Sequence, residues 1–143
     1  MSRASEAANS VVKACIEACD LYRVPVLRMQ SRAITMTDKR GAPHAYFMGR
    51  WRDDAGGQHT AGMADLLAMP RITLMYPSDV NGGVAISRIT VPLWVECKYG
   101  AGRMDAEQVA FKQWVEAHGA YYVEARDCAD AVLEWFHKMG VRR

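Results

Sequence analysis

The chain has 143 residues, half of them hydrophobic and 24% charged, and carries a formal net charge of +2. That length buries a core without disulfides or metals, and no apolar run is long enough to span a bilayer. So small a net charge does not by itself mark a nucleic-acid binder, and residues 1–6 lead into no apolar stretch that could serve as a signal peptide, so a cytoplasmic protein is expected.

Taken in chain order, Ala8, Val11, Val12, Cys15, Ile16 and Cys19 recur at helical spacing. They predict an amphipathic helix over residues 5–20 with Ser5 as its N-cap. Residues 24–30 and 33–37 read as extended, 38–41 as a turn, 45–51 as a third strand and 53–57 as a loop. Residues 64–69 form a short apolar strand stopped by Pro70, 72–76 another, and 77–83 a strong turn cluster. Residues 89–98 stay apolar until Glu96 and Lys98, as a buried central strand does, with pairing expected only after Pro92.

Gly100-Ala101-Gly102 then breaks the chain. Asp105 opens a helix with Gln108 placed for a capping box, and Gly119 closes it. Residues 120–124 predict a strand. Asp127 is expected to cap a last helix, whose Val132, Leu133 and Phe136 face the core and whose end is Gly140. The order predicts a single α/β domain, a mixed sheet flanked by helices, over residues 1–143.

Four cysteines, Cys15, Cys19, Cys97 and Cys128, include no CxxC pair and have no histidines beside them at zinc-ligand spacing. Reduced thiols fit better than a structural zinc. The basic residues crowd one stretch: Arg23, Arg28, Arg32, Lys39, Arg40, Arg50 and Arg52 surround a single acid, Asp38. Such a segment can track phosphates, and an ordinary solvated surface accounts for it equally well. Trp51, between two arginines, is the tryptophan placed to meet a base or ribose. Trp94, Trp114 and Trp135 fall on apolar faces and read as core.

The chemistry concentrates at Val95-Glu96-Cys97-Lys98. Period-two alternation sends Glu96 and Lys98 to one face and Cys97 to the other. With Asp65 upstream, two carboxylates and an amine can converge, as metal-dependent phosphodiester hydrolysis requires.

Gly62-Met63-Ala64-Asp65-Leu66-Leu67, Trp94-Val95-Glu96-Cys97-Lys98, Arg103-Met104-Asp105-Ala106-Glu107-Gln108 and the upstream Ser5-Glu6-Ala7 together resemble the VRR-NUC family of the PD-(D/E)xK nuclease superfamily. The resemblance spans nearly the whole chain. It departs at Ala64, where proline usually precedes the aspartate, and at residues 70–90, which read as an added hairpin. It implies a restriction-endonuclease-like core in which Asp65, Glu96 and the backbone carbonyl of Cys97 bind Mg²⁺ or Mn²⁺. Lys98 would orient the attacking water or stabilise phosphate charge. Gln108 would support it, although that glutamine is also a good capping residue. Glu6 would sit at the rim, in a first turn where an acid is favourable without any function. Arg28 and Gln30, beside the site, and Arg50 and Arg52 are the candidates for DNA contact.

The activity implied is that of a DNA endonuclease of phage type, selective for branched DNA such as four-way junctions, in a bacterial host cytoplasm and working as a homodimer. A less selective duplex nickase, or a catalytically silent DNA-binding subunit, would keep the same fold.

Overall fold

Helical spacing of small apolar residues sets the first element. In a computed structural model, which describes residues 3–29, 33–37, 39–47, 51–59, 61–78 and 82–143, α1 spans Arg3–Leu21 and buries Val11, Val12, Cys15, Ala18 and Cys19. The helix starts earlier than residue 5, so Ser5 lies inside it and is not its N-cap. Ala4, Ala7 and Ala8 are strong helix formers, and Glu6 in the first turn suits the dipole.

The strands that follow are β1 (Val26–Arg28), β2 (Ala33–Thr37), β3 (Pro43–Phe47), β4 (Trp51–Arg52), β5 (Gln58–His59), β6 (Leu66–Ala68), β7 (Arg71–Pro77), β8 (Val84–Thr90) and β9 (Leu93–Lys98). Then come α2 (Ala106–Ala117), β10 (Tyr121–Arg126) and α3 (Asp130–Lys138). The central sheet has the order β1-β6-β9-β10; only the β9–β10 pair is parallel. β2–β3, β4–β5 and β7–β8 are separate antiparallel pairs.

Of the expected strand over residues 45–51, residues 45–47 lie in β3, which pairs with β2, and Trp51 pairs with His59; residues 48–50 lie outside the described residues. Residues 89–98 split at Val91-Pro92, because Pro92 has no N–H to give a ladder and the Val91 N–H goes to Pro70 O at 3.0 Å. Pairing with β6 resumes at Leu93, after the proline as expected.

Alternation along β9 sorts the layers. Leu93, Val95 and Cys97 join Leu66, Ala125, Val132 and Phe136 in a core built with α1 and α3. Trp94 points the other way and packs with Tyr122 against Phe111 of α2, a second cluster that includes Trp51 and Val115. The sheet is therefore covered on both faces, and β9 lies between β6 and β10, which excludes an edge position for Glu96 and Lys98. Among the described residues no helix is long and apolar enough to cross a membrane.

Gly62 joins the strand system to α2. Its φ is +83°, and a Cβ there would lie 2.4 Å from the carbonyl oxygen of Glu107. Gly56 shares the left-handed conformation (φ +85°) but faces open space. Gly62→Ala should therefore cost roughly 3 kcal/mol or more, adding overpacking to backbone strain. Gly56→Ala should cost about 1–2 kcal/mol from strain alone. Urea unfolding of the two variants checks this; equal losses would show that α2 does not press on the Gly62 turn.

Candidate active site

Burial in the centre of the sheet leaves Glu96 only 2% exposed, so its carboxylate must find partners within the protein. Its Oε1 accepts from Lys98 Nζ at 2.8 Å and from Gln108 Nε2 at 2.6 Å. Lys98 Nζ also donates to Gln108 Oε1 at 2.7 Å, which closes a ring of three side chains and fixes which way the Gln108 amide faces. That amide oxygen additionally accepts from Asp105 N at 3.1 Å, while Asp105 Oδ1 accepts from Gln108 N at 2.8 Å. The capping box and the bridge to Glu96 and Lys98 thus use the same glutamine, and the rigidity of the first turn of α2 passes directly to the lysine.

Asp65 enters from the turn before β6. By continuation of the register Leu66↔Val95 it stands opposite Glu96, and its Oδ2 accepts from Cys97 N at 2.8 Å. An extended residue points its N–H and C=O to the same neighbour. The Cys97 carbonyl therefore faces the Asp65 edge, past the last β6 pair, while Lys98 O faces β10 and accepts from Asp127 N at 2.9 Å. The Cys97 side chain lies on the other face of the sheet, with its Sγ 3.9 Å from Cys15 Sγ.

The second oxygen of Glu96, Oε2, is buried with no hydrogen-bond partner among the described residues. Burial and then the Asp65 charge push the Glu96 pKa up to about 7, against the opposing pull of Lys98. The same burial and the same two carboxylates keep the nearby Tyr122 hydroxyl firmly protonated.

The loop after Lys98 is held by Arg126, which sequence reasoning passed over, and by Asp127, which it read as a helix cap. Arg126 Nη1 donates to Gly100 O at 2.5 Å and to Gly102 O at 2.8 Å, and Arg126 is ion-paired with Glu124. Asp127, at φ 62°, accepts from Gly100 N at 2.6 Å through Oδ1. Asp127 is therefore not the cap of α3; Ala129 occupies that position and makes no side-chain cap. The parallel register Glu124↔Glu96 and Arg126↔Lys98 is what brings this pair to the site, and the matching Glu-x-Lys and Glu-x-Arg spacings were the available signal.

Of the other expected residues, Arg28 is exposed, donates to Asn9 Oδ1 at 2.9 Å and precedes Met29, whose N–H bonds to Asp65 O at 2.7 Å. It lies beside the Asp65 turn. Glu6 is exposed in the first turn of α1, and no hydrogen bond or ion pair among the described residues joins it to the cluster. Arg52 is exposed on β4, opposite Gln58. Gln30 and Arg50 lie outside the described residues. Trp51 is not available to a base: it is buried, stacked on His59 at 4.2 Å, packed against Phe111 and Trp114, and donates to Ala61 O.

Among the described residues no group of three or more His, Cys, Asp or Glu side chains is placed to share a cation. Asp65 and Glu96 with one backbone carbonyl form a smaller set, suited to Mg²⁺, which keeps several waters. The orphaned Oε2 beside a second negative carboxylate fits such an ion, because a divalent charge supplies the partner that the protein withholds.

Glu96 has a testable signature without any metal. Its folded pKa of about 7 lies above the ordinary 4.5, so between those values the folded chain binds more protons than the unfolded one. Its contribution to stability is full below pH 4.5 and is lost as pH rises through 7. In EDTA, wild type should lose stability relative to Glu96→Gln between pH 5 and pH 8. A difference between the two that is flat over that window would contradict the burial of the charge.

No family model, curated protein or solved structure matches this chain.

Proposed function

We propose that this chain is a metal-dependent DNA endonuclease that hydrolyses phosphodiester bonds and prefers branched DNA such as four-way junctions. The observation that carries this reading is Glu96 Oε2, without a hydrogen-bond partner among the described residues and buried close enough to Asp65 to feel its charge, on a carboxylate whose other oxygen is tied to Lys98 and Gln108. Asp65 also ties down the Cys97 N–H, but its charge raises the cost of ionising Glu96, a cost that a shared cation would offset.

The order of elements supports a restriction-endonuclease-like core of the VRR-NUC kind. An upstream helix is followed by an Asp turn into a strand, a Glu-x-Lys strand beside it, a helix carrying glutamine near its start, and a strand parallel to the Glu-x-Lys strand. In this reading β7–β8 is an added hairpin.

Asp65, Glu96 and the Cys97 carbonyl would hold Mg²⁺ or Mn²⁺. Such an ion, when bound, makes a water acidic and neutralises phosphate charge. Lys98 has three N–H donors, and two of them are used by Glu96 and Gln108. The third is left for a phosphate oxygen or the attacking water. Gln108 keeps the ammonium in that pose through its own place in the capping box. Arg28, next to the Asp65 turn, is positioned to take a neighbouring phosphate, and Arg52 is a more remote backbone contact.

The working form is a homodimer, which would present two sites related by a two-fold axis to the two symmetric strands of a junction. The cross-strand pair Met75 and Ile86, 70% and 67% exposed on β7–β8, supplies apolar surface for it.

Cleavage of linear, nicked, flapped and four-way-junction DNA tests the proposal. Asp65→Asn and Glu96→Gln should abolish cleavage with the fold intact, and Lys98→Ala should lower it roughly a hundredfold or more. Mn²⁺ should replace Mg²⁺, while Ca²⁺, with longer and looser bonds, should support binding but little hydrolysis. Junctions should be cut in preference to linear duplex, by a protein that sediments as a dimer. Undiminished cutting in excess EDTA, or by all three variants, sinks the reading; equal cutting of every substrate leaves a less selective nuclease.

A further inference from the structure

A cleft of about 570 Å³ opens at the end of the central sheet away from the carboxylate cluster. Its walls include Pro25, just before β1, Met69, just after β6, and Thr90, at the end of β8. Asp65, opposite Glu96, lies four residues along the chain from the cleft-lining Met69, a separation of roughly 13 Å along the strand.

Five arginines line this cleft, Arg23, Arg71, Arg88, Arg142 and Arg143, and no acidic side chain does. Among the described residues, none of the five guanidinium groups is hydrogen-bonded to or ion-paired with a carboxylate. Arg143 lies over the Tyr22 ring, 5.2 Å from its centroid. Three separate parts of the chain bring these charges together. The register Arg71↔Thr90 and Thr73↔Arg88 puts Arg71, Thr73 and Arg88 on one face of the β7–β8 hairpin. Thr73 docks that face on the end of α3, its N–H on Met139 O and its hydroxyl on Gly140 O, both at 3.0 Å. Gly140, at φ +67° and with room for a Cβ only at 3.0 Å from the Thr73 side chain, turns the chain so that Arg142 and Arg143 reach the same space. Arg23 enters from the turn after α1, at φ 53°.

Arginines that follow α1 and α3 complement the negative ends of those helices, which accounts for Arg23, Arg142 and Arg143. It does not account for Arg71 and Arg88. A hairpin strand has almost no dipole to satisfy, and Arg71 and Arg88, exposed at the rim of the cleft, add like charge whose repulsion a bound anion would relieve.

We propose that this arginine-lined cleft binds a ligand carrying two or more adjacent phosphate groups. Guanidinium groups pair with phosphate oxygens bidentately, and the cleft has the volume of a small-ligand site. Adjacent phosphates could be presented by a free oligophosphate or nucleotide, or by a nucleic-acid backbone. The proposal does not depend on the carboxylate cluster being catalytic.

Calorimetric titration of the full chain with inorganic tripolyphosphate, at an ionic strength of about 0.15 M where surface attraction is largely screened, tests it. Saturable binding is expected, weakened roughly tenfold or more in the double variant Arg71→Gln, Arg88→Gln, with an unchanged circular dichroism spectrum and Tm. The double variant Lys13→Gln, Lys39→Gln removes the same charge elsewhere and should bind like wild type, as should Asp65→Asn. Displacement of bound tripolyphosphate by duplex DNA would identify a backbone as the source of the phosphates. Displacement by a nucleoside triphosphate but not by DNA would identify a small ligand. Absence of saturable binding, or equal weakening in the two double variants, overturns the proposal.

Discussion

A carboxylate held out of water at the centre of a sheet is the constraint to which this structure answers. Glu96 sits between Val95 and Cys97, whose side chains anchor the strand in the α1–α3 core, so the chain cannot rotate the acid outward without exposing that core. Its neighbours must therefore come to it. Lys98 arrives by alternation on the same strand, and Gln108 arrives on the first turn of α2. The glycine-rich loop between them is clamped by Arg126 of β10 and by Asp127 just after it. Gly62 lets the Asp65 turn press on the backbone of the same helix. Some of these contacts are local and others join distant parts of the chain; two reach Glu96 directly and the rest hold the elements around it.

The arrangement satisfies Glu96 only in part. One ammonium and one amide serve Oε1, yet Asp65 adds a second negative charge and Oε2 has no hydrogen-bond partner among the described residues. A site selected for stability alone would replace such a group with an apolar residue, or complete its hydrogen bonds. Retaining two repelling carboxylates with a vacant oxygen is the pattern expected where a cation or proton is exchanged during function. The apolar layers under the sheet supply the rigidity that keeps this unfavourable geometry in place.

The clustering of Glu96, Lys98 and Gln108 was more legible in the sequence than the element boundaries were. Alternation placed Glu96 and Lys98 together, and the Asp105–Gln108 spacing gave the capping box, because both follow from local periodicity. Gln108 as a bridge and a cap at once was not separable from sequence, since the two uses share one rotamer. Asp127 looked like a helix cap because its true partner, Gly100 N, is 27 residues away. Trp51 looked exposed among arginines, but burial against Phe111 and Trp114 depends on how α2 packs, which no local pattern encodes. The five-arginine cleft is likewise invisible in sequence order, because its members come from α1's end, two strands and the tail after α3.

The most direct test of the shared-cation account is the uptake of Mn²⁺ by the free protein, followed by loss of the aqueous Mn²⁺ paramagnetic resonance signal across a pH series. Affinity should rise as pH increases through about 7, where Glu96 gives up its proton, and then level off. Asp65→Asn should weaken uptake sharply at every pH. Uptake that is absent, or that is independent of pH and unchanged in Asp65→Asn, would show that these two carboxylates do not hold a metal.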